Sequence, residues 1–168
     1  RCEIVPKKEA YKYVNLGYQL ICGFNKTKMR LTKEIRSFQK RGPLPEEGER
    51  IIILQNNAYH DVFNGQVFTI RRPLAVRGRF IDLDIEDSEG RSIVAPCILE
   101  QFGAEKTLQV RPKKILLADW ANVLNAHKSQ GSEFDSVVVI EEIHSDWNAA
   151  KWRYTTTTRA KNRLIYCW

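Results

Sequence analysis

Two stretches near the end of the chain bring together side chains that could handle phosphate. The first, AHKSQGSEFDSVVVI, runs from Ala126 to Ile140. His127, Lys128, Ser129 and Gln130 are donors, and they precede Gly131, which would let a ligand or a backbone approach closely. Donors and backbone amides ahead of a parallel strand can bind phosphate or sugar oxygens. Glu133 could accept from a ribose hydroxyl. The same polar run would also serve as an ordinary solvated loop. The second stretch, YTTTTRAKNRLIYCW, runs from Tyr154 to Trp168 and sets Arg159 near the end of a predicted helix. A guanidinium there could stabilise charge developing on the γ-phosphate of a bound triphosphate. It could equally be a surface arginine that complements the helix dipole.

These residues need a scaffold, and the texture of the chain supplies one. SVVVIEE is β-branched and apolar without alternation, as in a parallel strand buried on both faces. RLIYCW reads as a last strand, with a helix between them that starts near Trp147 and is capped by Ser145 or Asp146. Near the start, YQLICGF suits a buried strand. Asn25 follows as a possible N-cap for a helix that places Met29, Leu31, Ile35 and Phe38 near one face. That helix ends before GPLPEEG. From Gly48 the pattern changes to short strands between turn signals, with Asn64-Gly65 as a tight turn. This reads as a small antiparallel barrel. The expected layout is therefore an α/β layer over 1–43 and 118–168, interrupted by a β insert over 44–117 of about seventy residues, a size that can fold alone.

Bulk properties narrow the partners. The net charge of the 168 residues is +7 and the pI about 9.3, which favours a polyanion, nucleic acid first. No apolar run reaches membrane-spanning length. The four cysteines form no CxxC pair, so neither a zinc site nor a disulfide framework is expected, and a cytoplasmic setting with reduced thiols is the simple reading. The absence of an initiator methionine and of a polar tail gives both ends the look of a cut from a longer protein.

Taken together, the two stretches resemble the last two motifs of superfamily 1 DNA helicases, above all the exodeoxyribonuclease V alpha-subunit type, with UvrD-like relatives. The first family motif reads roughly T-x-H-K-S-Q-G-S-E-F-D-x-V, matched by His127 to Asp135. The second reads Y-x-x-x-T-R-A-K, matched by Tyr154, Thr158, Arg159, Ala160 and Lys161. Upstream, Gly48, Arg50, Asn56 or Asn57, Asn64 and Gly65 fit the family's inserted barrel of the Src-homology-3 type. LICGFNKTKMRLTKEIR resembles the opening of the second motor domain.

The resemblance implies a RecA-like parallel sheet with an inserted barrel, ATP and Mg2+ as ligands, and single-stranded DNA as partner. It casts Arg159 as the finger on the γ-phosphate, and Gln130, Gly131 and Glu133 as neighbours of the nucleotide. Arg36 would be a second phosphate-sensing arginine, and Tyr154 would steady Arg159. Asn125, His127 and Lys128 would face the DNA, with Asn125 standing where the family has threonine. Asn56, Arg71 and Arg72 would add DNA contacts on the barrel. Four β-branched threonines in succession weaken a helix, so packing or hydroxyl bonds to the preceding turn must hold it. No GxxxxGK[ST] phosphate loop occurs; the resemblance assigns that loop to a first motor domain outside these residues, without which the chain is expected to be inactive. The competing reading is a non-enzymatic module that grips single strands by charge and stacking.

Overall fold

The computed structural model describes residues 1–14, 16–110 and 113–168. In chain order the strands are β1 (Cys2–Val5), β2 (Gln19–Cys22), β3 (Arg50–Ile53), β4 (Val67–Arg77), β5 (Phe80–Glu86), β6 (Ser92–Ile98), β7 (Ala118–Trp120), β8 (Val123–Asn125), β9 (Phe134–Ile140) and β10 (Ala160–Cys167). The α-helices are α1 (Tyr11–Val14), α2 (Asn25–Phe38) and α3 (Ala149–Thr157). Two compact units result: Arg1–Leu31 with Val123–Trp168, and Thr32–Asn122. The division falls within α2.

The first unit is a parallel sheet of order β1-β10-β9-β2-β8. Its central strands are the apolar runs, because only a strand covered on both faces can be apolar at every position. Val137, Val138, Val139 and Ile21 are fully buried. One face packs Ile21, Ala126, Val137 and Val139 against Trp152 of α3. The edge strand β1 is exposed along most of its length, so it carries none of the apolar signal that marks β9. Helix α3 begins at Ala149, and Asn148 rather than Ser145 or Asp146 caps it: the Asn148 side chain accepts from the Lys151 amide. Its threonines bond back one turn, Thr156 Oγ1 to Trp152 O at 3.1 Å, Thr157 Oγ1 to Arg153 O at 2.8 Å and Thr158 Oγ1 to Tyr154 O at 2.8 Å. Packing adds to this, since Thr156 is fully buried.

The second unit is an antiparallel sheet of order β6-β5-β4-β3-β7. It curls until Leu116, just before β7, bridges Cys97 of β6 and donates its N–H to Pro96 O at 2.8 Å. The interior holds Ile51, Ile53, Phe68, Ile70, Ile81, Leu83 and Ile85, the alternate residues of β3, β4 and β5. Strand β4 runs on through Pro73, where register shifts accommodate the missing donor. On α2, Leu31 and Ile35 are buried, but Phe38 at the helix end is 73% exposed. All four cysteines are free, and burial raises Cys22 and Cys97 to about 12.

Candidate functional site

Strands β9 and β10 run parallel, with Phe134 beside Ala160. This register sets the residues just before each strand at one rim, the amino rim of the sheet. Gly131, Ser132 and Glu133 arrive from one side, and Arg159 from the end of α3. The Phe134 amide donates to Arg159 O at 2.8 Å. The half-buried guanidinium of Arg159 donates through Nε to Thr155 O at 3.0 Å, through Nη1 to Ser132 O at 3.0 Å and through Nη2 to Thr158 Oγ1 at 3.0 Å. An arginine has five N–H groups; three are used, and two remain for an incoming anion. Beside it, Lys161 Nζ lies 3.4 Å from Glu133 Oε2, with both groups exposed. Gly131 has a φ of +81° and open space where a Cβ would stand, so its left-handed turn is what calls for glycine. Tyr154 is 71% exposed, and the groups bonded to the guanidinium are the two carbonyls and Thr158.

Residues 126–133 connect the carboxyl end of β8 to the amino end of β9, so they cross the depth of the sheet. Ser129, read above as a donor for phosphate, is fully buried and donates to Ala126 O at 2.8 Å. It fixes the crossover instead. Gln130 is exposed beside Gly131.

The start of the crossover belongs to the carboxyl rim. Asn125 accepts from the Lys128 amide at 3.0 Å and donates to Asn25 Oδ1 at 2.7 Å, so its side chain shapes the turn. His127 is exposed. Burial, and then the charge of Lys28, holds the Lys128 ammonium below its usual pKa. Glu142, beyond β9, accepts from the Gly23 and Phe24 amides at 3.2 Å each and from the Thr27 hydroxyl at 2.6 Å. A carboxylate thus caps α2, where the dipole favours a negative charge. The approach is tight: a Cβ on Gly23 would lie 2.2 Å from Glu142 O. Over this rim Trp147 stands 5.4 Å from Phe24, 6.2 Å from His127 and 6.1 Å from His144, centroid to centroid. Phe24, His144, Trp147 and Glu142 carry no short-range motif, and chain patterning gave no sign of them.

The remaining expected site residues lie in the second unit. Arg36 is 7% exposed. Its Nε and Nη2 donate to the two carboxylate oxygens of Glu49 at 2.7 and 3.0 Å, Nη2 also reaches Leu44 O at 2.7 Å, and Cζ lies 4.0 Å from the Trp120 ring centroid. A guanidinium so engaged acts as a strut of its own unit. The barrel arginines are exposed but paired: Arg71 with Glu86 at 3.5 Å, Arg72 with Asp84 at 3.5 Å, Arg77 with Asp82 at 2.6 Å and Arg79 with Glu100 at 3.3 Å. Asn56 is exposed, and its Oδ1 accepts from the Asn64 amide at 2.7 Å, closing the Asn64-Gly65 turn.

Comparison with known proteins agrees with this layout. Residues 121–166, which carry both rims' crossover and Arg159, match the family of the UvrD-like helicase C-terminal domain. No curated protein matches the chain. Among solved structures, Bacteroides Pif1 bound to ssDNA is similar with a TM-score of 0.53 and 14% identity, over 89% of this chain and 40% of that one. The Bacteroides Pif1 helicase in complex with ADP-AlF3 and ssDNA gives 0.54 and 14%, with the same coverage. Pif1 helicase from Candida albicans gives 0.51 and 12%, over 98% of this chain and 50% of that one. The chain therefore spans half or less of the helicases it matches. It is similar to the C-terminal region of superfamily 1 helicases, with the RecA-like parallel sheet and a separate antiparallel sheet. Among the described residues, no helix is long and apolar enough to cross a membrane.

Proposed function

We propose that the chain is the C-terminal motor portion of an ATP-dependent DNA helicase that moves 5′ to 3′ along a single strand. The observation that supports this best is the amino rim, where the crossover ending in Gly131–Glu133 meets Arg159. In this reading Arg159 reaches the γ-phosphate with its two remaining N–H groups, while Thr155 O, Ser132 O and Thr158 Oγ1 hold the guanidinium in place. Pre-set donors of this kind lower a barrier because they need no reorganisation as charge develops. Gly131 leaves room at the turn, and Gln130 and Glu133 supply a donor and an acceptor for the nucleotide.

The described residues contain no cluster of three or more His, Cys, Asp or Glu able to cage a cation. Mg2+ at a nucleotide takes only one or two carboxylates beside the phosphates and waters, and the helicase reading assigns those to the other half of the site. A phosphate-loop motor domain of the same protein would hold the ion and the rest of ATP. His127, Lys128 and Asn125, at the other end of the same crossover, would meet single-stranded DNA. An eight-residue segment would then link nucleotide and strand.

The test is ATP turnover with single-stranded DNA. The 168-residue chain alone should show none; turnover by it that Arg159→Ala abolishes would overturn the half-site reading. In the polypeptide that includes the phosphate-loop domain, Arg159→Ala should lower kcat on the order of a thousandfold and leave DNA affinity within a few-fold. An effect confined to salt-sensitive DNA affinity would instead make the chain a non-enzymatic single-strand-binding module.

A further inference from the structure

We propose that the antiparallel unit carries a docking groove for a partner protein that presents an extended, uncharged segment. The segment adds as a strand to the free edge of β4 and lays alternate apolar side chains between that edge and the turn at residues 43–45. The surface is separate from the nucleotide rim, and the inference holds or fails independently of the helicase reading.

The edge is open because β3 is short. Strand β3 pairs with β4 at Val67, Phe68 and Thr69, and Gly48 and Glu49 carry the ladder one residue further, to Ile70. From Arg71 to Arg77, β4 pairs with β5 alone, and all seven residues are exposed. Pro73 fits such an edge, where its missing donor costs no ladder bond. Register shifts between Ile70 and Arg72 and between Pro73 and Ala75 stretch the side-chain repeat of β4 from two residues to three. Ile70, Pro73 and Val76 therefore stand opposite Ile85, Leu83 and Ile81, on the apolar face of the sheet. Ile70 is sealed in the barrel, whereas Val76 is 51% exposed. The apolar face thus runs on past the barrel core to an uncovered end.

The facing wall is already fixed. Arg36 Nη2 holds Leu44 O at 2.7 Å, the Glu46 amide donates to Glu49 Oε2 at 2.8 Å, and Glu46 accepts from the Gly42 amide. Pro43, Leu44, Pro73, Val76 and Ile81 line the groove, which has a volume of about 410 Å³. A preformed wall of this kind reduces the ordering cost of binding. Charge selects the occupant. The cations along the groove are matched by acids of the same unit: Arg41 with Glu46 at 3.2 Å, Arg72 with Asp84 at 3.5 Å and Arg77 with Asp82 at 2.6 Å. A nucleic acid or an acidic peptide meets a neutral rim, and a charge placed in the groove loses hydration without gaining a partner. A second copy fits poorly. Two β4 edges paired antiparallel about Leu74 set Arg71 opposite Arg77 at both ends, and like charges directly opposite destabilise a sheet. An uncharged extended segment meets no such conflict: its backbone joins the edge, and its alternate apolar side chains fill the groove.

The experiment titrates the 168-residue chain into a fluorescein-labelled peptide of alternating threonine and valine and reads fluorescence anisotropy. Two further forms of the peptide are N-methylated, one at the threonine amides and one at the valine amides; a last form has glutamate in place of threonine. The wild type should bind the unmodified peptide saturably. One of the two methylated forms should bind roughly tenfold more weakly, because its blocked amides are those that join the β4 edge. Val76→Lys and Leu44→Lys, at exposed positions, should each weaken the unmodified peptide by roughly tenfold while melting as the wild type does; if one of them unfolds, the other decides. No saturable binding by the wild type, equal binding of the unmodified and both methylated forms, or unchanged binding in the folded variants would overturn the groove. Tighter binding of the glutamate form would make the occupant acidic and overturn the uncharged segment. A dimer in sedimentation that Val76→Lys disperses would give the edge to a second copy instead. None of these outcomes bears on Arg159 or on DNA binding.

Discussion

At the scale of single residues, two arginines that look alike in sequence part company by their partners. Arg159 is half-buried and bonded to neutral oxygens, so its charge is left uncancelled at a sheet rim. Arg36 is sealed against Glu49 and lies over Trp120, so its charge is spent inside its own unit. Removing one member of a buried ion pair strands the other, at a cost of about 3–5 kcal/mol. Arg36→Ala should therefore lower stability by that order, read from the urea midpoint. Arg159→Ala should lower it by about 1 kcal/mol, because the hydrogen bonds it loses were traded against water. Equal midpoints for the two variants would contradict the contrast drawn here.

At the scale of elements, α3 must stay docked for Arg159 to stay at the rim, and one buttress does much of this. Glu141, just after β9, accepts from Arg153 of α3 at 2.9 and 3.2 Å and from the Tyr166 hydroxyl of β10. The Arg153 hydrogen bonds, then that of Tyr166, hold the Glu141 carboxyl below its usual pKa of 4.5. Burial, then Glu141, lifts Tyr166 to about 12. A lowered carboxyl pKa stabilises the fold at pH above the unfolded value, and the gain is lost as pH falls through the folded one. Glu141→Gln should thus melt below the wild type at neutral pH, and the gap should close as the pH falls below the usual carboxyl value and through the lowered one; a gap independent of pH would show that the charge is irrelevant. Such buttresses explain what could be read from the chain beforehand. Strands β9 and β10 and the turn at Asn64-Gly65 announce themselves through local composition. The Glu142 cap joins residues 118 and 119 apart, and the exposed β1 has no apolar pattern to give it away. Arg159 was legible from its motif, whereas Phe24 and Trp147 meet only because β2 and β9 end side by side.

At the scale of the whole molecule, the question is where the excess charge resides. The parallel-sheet unit holds thirteen Lys and Arg against seven Asp and Glu, a balance of +6; the antiparallel unit holds fourteen against thirteen, a balance of +1. The densest run of arginines, RRPLAVRGR, thus sits in the nearly neutral unit, and its four guanidiniums each face a carboxylate. For a polyanion, a paired arginine offers little, because its own acid repels the phosphate it would attract. Each cation that does meet a phosphate releases counterions and adds close to one to the slope of log affinity against log salt. Lys128→Ala and Lys26→Ala should therefore each flatten that slope for single-stranded DNA by about one. Arg71→Ala with Arg72→Ala should leave it unchanged, since guanidiniums paired with Glu86 and Asp84 displace no counterions from the DNA. The reverse pattern, a slope that falls with the barrel arginines and ignores the rim lysines, would move the DNA track from the parallel sheet to the barrel.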